Sequence, residues 1–172
     1  AFGGYEWFKV RDQGLARIVY STQGQDPSFT RQAALLVRED FIAGNEDIVQ
    51  KVVDVFVRAA DWTSNENHRD ELFSIWSGSG VPKASWAAEF DNQALALRNS
   101  PLVDDFLIAR YKAVVQDALK LKLIRREVSV DDWFDTRFLE HALRNQGLQT
   151  RWTRHAANGQ PLAQEVANHV RP

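Results

Sequence analysis

The front of the chain carries the residues best suited to hold a ligand. Phe2-Gly3-Gly4-Tyr5-Glu6-Trp7-Phe8 sets Tyr5, Trp7, Phe8 and the acid Glu6 just behind a glycine pair. Glycines let a backbone come close to another group, and Tyr and Trp join apolar area to a hydrogen-bonding atom. Downstream, Tyr20-Ser21-Thr22 and Ser28-Phe29-Thr30-Arg31-Gln32 add hydroxyls and one guanidinium around a polar stretch with Gly24 and Pro27. An arginine fork beside hydroxyl donors suits an oxyanion, because its paired N–H groups match a planar or tetrahedral anion. Bland readings stand beside these: a strand-to-helix turn with core aromatics for the first segment, and a solvated crossover loop for Thr30-Arg31.

No other pattern spells catalysis. His68, His141, His155 and His169 are scattered, without an i,i+4 pair or the flanking pattern of a zinc site. Gly78-Ser79-Gly80 lacks the glycine spacing and following lysine of a phosphate loop and reads as a helix stop. Glu39-Asp40, Asp104-Asp105 and Asp131-Asp132 are adjacent acids, which do not face one another on a helix. The helix dipole accounts for acids near helix starts. With no Cys, disulfides, thiolate metal sites and a cysteine nucleophile are excluded from these residues. No cofactor is implied. The net charge of −2 gives no general polyanion signal and argues against nucleic acid as a partner. Charge is nonetheless uneven: Lys112, Lys120, Lys122, Arg125 and Arg126 meet only Asp117 over 112–126, while 45–71 holds seven acids and three bases. The basic cluster reads as solvated surface or as a docking face.

Positioning these groups takes a framework of 172 residues, 44% of them hydrophobic, enough to bury a substantial core. Glu6 to Gln13 reads as a short helix stopped by Gly14. Ile18-Val19-Tyr20 and Ala33-Ala34-Leu35-Leu36-Val37 read as two strands. From residue 40 the pattern is helical. Ile48, Val49, Val52, Val53, Phe56, Val57 and Ala60 form one broad apolar stripe behind Asn45 as cap. Shorter helices follow over Asn67–Trp76 and from Pro82, the latter carrying Trp86 and Phe90. The longest runs from about 101 to 122, with Ser100-Pro101 as cap and first turn. Another spans Asp135 to Gln146, stopped by Gly147. The residues from Thr153 are a polar tail. Two strands cannot make a self-sufficient sheet. Together with a start at Ala1 and no Met, this leads to the expectation that the chain is a piece of something longer.

Several strings, in order, carry a family likeness. They are Leu36-Val37-Arg38-Glu39-Asp40-Phe41, Ile48-Val49-Gln50-Lys51-Val52-Val53, Ala59-Ala60-Asp61-Trp62, Ser79-Gly80-Val81-Pro82 with Trp86, Ser100-Pro101-Leu102-Val103-Asp104-Asp105-Phe106, and Lys122-Leu123-Ile124-Arg125-Arg126. Over residues 1–152 the chain resembles periplasmic solute-binding proteins of ABC importers for aliphatic sulfonates, taurine and nitrate. The resemblance implies an α/β, periplasmic-binding-protein-like two-lobed fold, of which this chain supplies the helix-rich C-terminal half. It places 1–32 in the second lobe, 33–152 in the return to the first lobe and its C-terminal helices, and 153–172 in a tail. It implies capture of a small organic anion, with no bond made or broken. Partners would be a membrane permease with its ATPase and the missing N-terminal half of the same polypeptide, outside the cytoplasm. Carried onto this sequence, Tyr5 and Trp7 wall the organic part, Thr30 and Arg31 donate to the anionic head, and Glu6 tunes specificity or closure. An enzyme of the same fold, of desulfinase or thiamine-pyrimidine synthase type, and a stand-alone helical protein remain alternatives.

Overall fold

The computed structural model describes residues 6–23 and 34–163, and their regular elements are helices. The elements are α1 (Glu6–Asp12), α2 (Glu39–Gly44), α3 (Glu46–Thr63), α4 (Arg69–Ser77), α5 (Lys83–Glu89), α6 (Leu95–Arg98), α7 (Asp105–Lys120) and α8 (Arg137–Asn145). A 3₁₀ turn, Glu66–His68, leads into α4. None of these helices is long and apolar enough to cross a membrane. The chain divides into two compact units, Ala1–Gly44 with Arg58–Ser100, and Asn45–Val57 with Pro101–Pro172. Helix α3 belongs to both, changing unit after Val57.

In the first unit α4 and α5 pack together, and α1 lies on α5. Their core is Leu72, Phe73, Phe90 and Leu95, with Trp62, Trp76 and Trp86 packed around it. The rings of Phe73, Trp76, Trp86 and Phe90 meet in tilted pairs with centroids 4.9 to 5.9 Å apart, the offset geometry that aromatic quadrupoles prefer. Pro82 is the N-cap of α5 rather than part of its first turn.

In the second unit α8 buries Phe138, Leu139, Ala142 and Leu143 at three- and four-residue steps, the signature of one apolar face. The polar side of α3 is tied to that helix. The Gln50 side-chain amide donates to the Phe138 carbonyl at 3.1 Å, and that of Gln146 donates to the Asp54 carbonyl at 3.1 Å.

Two expectations need correction. Neither 16–20 nor 34–37 forms a strand; both run irregularly, with Val19 and Leu36 almost fully exposed. Backbone N–H and C=O groups form a strand only against a neighbouring strand, and among the described residues no sheet is present to supply one. Helix α7 begins four residues later than Ser100-Pro101 suggests. Its cap is Asp104, whose carboxylate accepts the Leu107 amide at 3.0 Å, while Pro101 to Asp104 stay irregular. The α3 stripe is present but only half covered: Val49 and Val57 are buried, whereas Ile48, Val52 and Phe56 are open, as is Val55 beside them.

Candidate functional site

Of the five residues assigned to ligand binding, Tyr5, Thr30 and Arg31 lie outside the described residues. Glu6 opens α1, and its side chain is likewise not described. Trp7 follows it, half-buried on the same helix. The described part of this region is α1 and the stretch from it to Gln23.

Helix α1 holds this region through Phe8, which is only 4% exposed. Arg11 sits over the Phe8 ring at 4.9 Å and forms an ion pair with Asp12. The helix ends where the Gly14 amide reaches the Arg11 carbonyl at 2.8 Å and the Leu15 amide reaches that of Val10 at 3.1 Å. This pairing needs a left-handed residue, and Gly14 takes φ +70° at no Cβ cost. A second anchor follows at Gln23, whose side-chain amide donates to the carbonyls of Ala88 at 2.5 Å and Glu89 at 3.1 Å. Both α1 and Gln23 thus rest on α5, and they bracket the stretch that leads toward Thr30 and Arg31.

Helix α5 ends in a tightly bound turn. Arg69 donates to the carbonyls of Phe90 at 3.3 Å and Gln93 at 2.7 Å, with its Nε on Glu66 at 2.8 Å. Arg98 donates to the Glu89 carboxylate at 3.0 Å and the Gln93 side-chain oxygen at 2.9 Å, over the Phe90 ring at 4.5 Å. Beside this turn lies an open groove of about 500 Å³ lined by Arg69, Phe73, Ala87, Phe90, Asp91, Asn92, Gln93 and Ala94. Its one guanidinium is already committed to carbonyls and a carboxylate, so the groove lacks a spare cation for an anion. The two arginines organise this unit, holding the turn after α5 through its carbonyls and side chains.

Glu66 completes the frame. Its second oxygen accepts the Leu95 amide at 2.7 Å, satisfying a free N–H at the start of α6. The Arg69 hydrogen bond holds its carboxyl below the usual carboxylate range, helped by the Leu95 amide and opposed by partial burial. Nothing in the sequence marks Gln23, Glu66, Arg69 or Arg98, since they are polar residues among many and their partners are mostly backbone atoms. Among the described residues, no cluster of His, Asp and Glu could hold a metal ion.

In the second unit, residues 153–163 fold back rather than trail away. His155 bridges Pro161, and the Ala156 amide reaches the Gln160 carbonyl at 2.9 Å. Asp104 accepts both the His155 amide at 2.9 Å and its ring Nδ1 at 3.2 Å, and Arg154 pairs with Glu140 at 2.7 Å. This turn is a support for the first turn of α7.

No protein-family model and no curated protein matches the chain. Among solved structures, it is similar to a protein from Methylobacillus flagellatus KT assigned as SsuA, the periplasmic sulfonate-binding protein of a sulfonate ABC transporter. The TM-score is 0.77 at 24% identity, covering 88% of this chain and 47% of that one. The chain therefore spans about half the length of the protein it matches. Its fold is the helix-rich C-terminal part of a periplasmic-binding-protein-like α/β structure.

Proposed function

We propose that this chain is the C-terminal half of the substrate-binding component of an ABC importer. It captures a small organic anion, such as an aliphatic sulfonate, between two lobes outside the cytoplasm and delivers it to a permease driven by its ATPase. The observation that carries this reading is the structural match over 88% of the chain to a protein assigned as a sulfonate-binding component. In this reading 1–32 belong to the second lobe, 33–152 return to the first, and 153–172 are an extension whose described part folds back onto the start of α7. Tyr5 and Trp7 flank the organic part of the ligand, Glu6 tunes specificity or closure, and Thr30 and Arg31 hold its charged head. The anchoring of α1 and Gln23 on α5 supports it, because it fixes the chain on the N-terminal side of Thr30 and Arg31. The groove beside Phe90 does not compete for the anion, since its arginine is occupied.

The test is calorimetric titration of the full-length polypeptide, this chain joined to its N-terminal half, with taurine, longer alkanesulfonates and nitrate. An alkanesulfonate is expected to bind, and Arg31→Ala to weaken it about 10- to 100-fold, the worth of a charge-assisted hydrogen bond. Unchanged anion affinity in Arg31→Ala, or binding of a neutral heterocycle while every anion fails, overturns the assignment of the charged head. Turnover of a sulfonate or sulfinate by the same polypeptide would replace the reading with the enzymatic alternative.

A further inference from the structure

The C-terminal end of α7 has a combination of strain, charge and exposed apolar side chains that the solute-binding reading does not use. Three helices of this chain end on the same paired motif, in which two amides past the helix reach back to its last carbonyls. In α1 the left-handed position is Gly14, with Leu15 behind it. In α8 it is Gly147, φ +68°, with the Leu148 amide on the Leu143 carbonyl at 2.8 Å. In α7 the Lys122 amide reaches the Leu119 carbonyl at 3.0 Å and the Leu123 amide reaches that of Ala118 at 2.8 Å. There the left-handed residue is Lys122, φ +57°. A lysine in this conformation carries a steric cost that glycine avoids, and the same chain uses glycine twice for the same turn.

The strained turn presents two leucines to solvent. Leu121 is 68% exposed and Leu123 75% exposed, and Lys120, Lys122, Arg125 and Arg126 around them are all exposed. None of these four cations forms an ion pair with another described residue. The neighbouring acids are Asp117, one turn back, and Glu127, which takes a hydrogen bond from Gln116 at 2.6 Å. Helix-dipole complementarity accounts for Lys120 in the last turn. It does not reach Arg125 and Arg126 beyond the helix, nor does it explain leucines alternating with the bases.

We propose that this knuckle, residues 120–126, docks on a lipid bilayer bearing anionic headgroups. The bases lie against the phosphates, and Leu121 and Leu123 enter the boundary between headgroups and acyl chains. Charge complementarity selects the occupant: four cations without an ion-pair partner among the described residues stand together in a chain of net charge −2, and a basic segment with intercalated apolar side chains matches such a surface. The proposal goes beyond the importer reading and stands on the geometry of this turn.

Co-sedimentation of the full chain with vesicles of phosphatidylcholine containing about 30% phosphatidylglycerol, against vesicles of phosphatidylcholine alone, tests it. Binding is expected only to the anionic vesicles and should fall as salt rises from about 0.05 to about 0.5 M. Each base contributes about fivefold to partitioning, so R125Q/R126Q should lose about 25-fold and Lys122→Gly about fivefold. L121S/L123S should lose about tenfold, with circular dichroism unchanged in all three variants. Equal binding to both vesicle types would assign the affinity to other apolar surfaces and overturn the proposal. So would binding that R125Q/R126Q and L121S/L123S leave intact. Retention on immobilised polyglutamate without binding to anionic vesicles would assign the knuckle to an acidic protein face instead. Sulfonate binding by the full-length polypeptide is read separately, so either idea can fail alone.

Discussion

Glu66 is a surface residue with an interior task. One oxygen holds Arg69, which itself binds the turn after α5, and the other receives the first free amide of α6. Because the folded state lowers its pKa, chiefly through Arg69, the ionised form carries the stabilisation. That contribution is present above about pH 4.3 and lost as pH falls through the lowered folded value. Glu66→Gln should cost about 1 kcal/mol at neutral pH, since the carboxylate is half exposed and screened. The gap from wild type in chemical denaturation should then close on acidification below about pH 4; a gap independent of pH would contradict the role. Asp104 makes a parallel case, capping α7 through Leu107 while holding the backbone and ring of His155. Asp104→Ala should therefore cost about 2 kcal/mol, more than a simple cap. Asp104→Asn should recover the capping part, which a denaturation series on the two variants would separate.

At the scale of the element, the three matching helix ends allow a direct test of strain. Lys122→Gly should stabilise the chain by about 1 kcal/mol, raising Tm by about 2 to 4 °C. Gly147→Lys at the equivalent position of α8 should do the reverse. A Lys122→Gly variant no more stable than wild type would mean the left-handed turn carries no strain. These ends also show what a sequence discloses. Gly14 and Gly147 announce their stops because glycine is the common solution, whereas Lys122 is legible only once its φ is seen. Helices α3, α4, α5 and α8 follow from apolar spacing, and α1 from its short run and Gly14. The brief α2 and α6 do not, since a turn or two gives no periodicity. The start of α7 is hidden because Ser100-Pro101 and Asp104 are both good caps, and the tie to His155, far along the chain, favours the second. The apolar runs at 18–20 and 34–37 have strand character, but a strand also requires a partner, which local sequence cannot show. Helix α1, which carries Trp7, was legible; the Gln23, Arg69 and Arg98 framework was not, because most of its targets are backbone carbonyls that any residue would offer.

For the whole chain, the unused apolar surface is the strongest constraint. An α/β fold places its helices on the faces of a sheet, and here the helices are present while no sheet appears among the described residues. The consequence is plain on α3. At about 100° per residue its apolar arc runs unbroken from Val55 through Ile48, Val52 and Phe56 to Val49, Val53 and Val57. Only the second part of the arc is covered. Burial of each large apolar side chain yields about 1.5 to 3 kcal/mol, so four open ones on a single face are a strong drive to association. The chain by itself should self-associate, with an apparent mass that rises with concentration in light scattering. Val52→Asp with Phe56→Asp should reduce that association without lowering helical circular dichroism, because both side chains are exposed. The longer polypeptide proposed above should stay monomeric, and there the same two aspartates should destabilise, being pressed against a sheet they cannot hydrogen-bond. The sign of the double substitution therefore reverses between the two proteins. A chain that is monodisperse alone, and a longer polypeptide indifferent to the aspartates, would together sink the view that α3 is built to be covered.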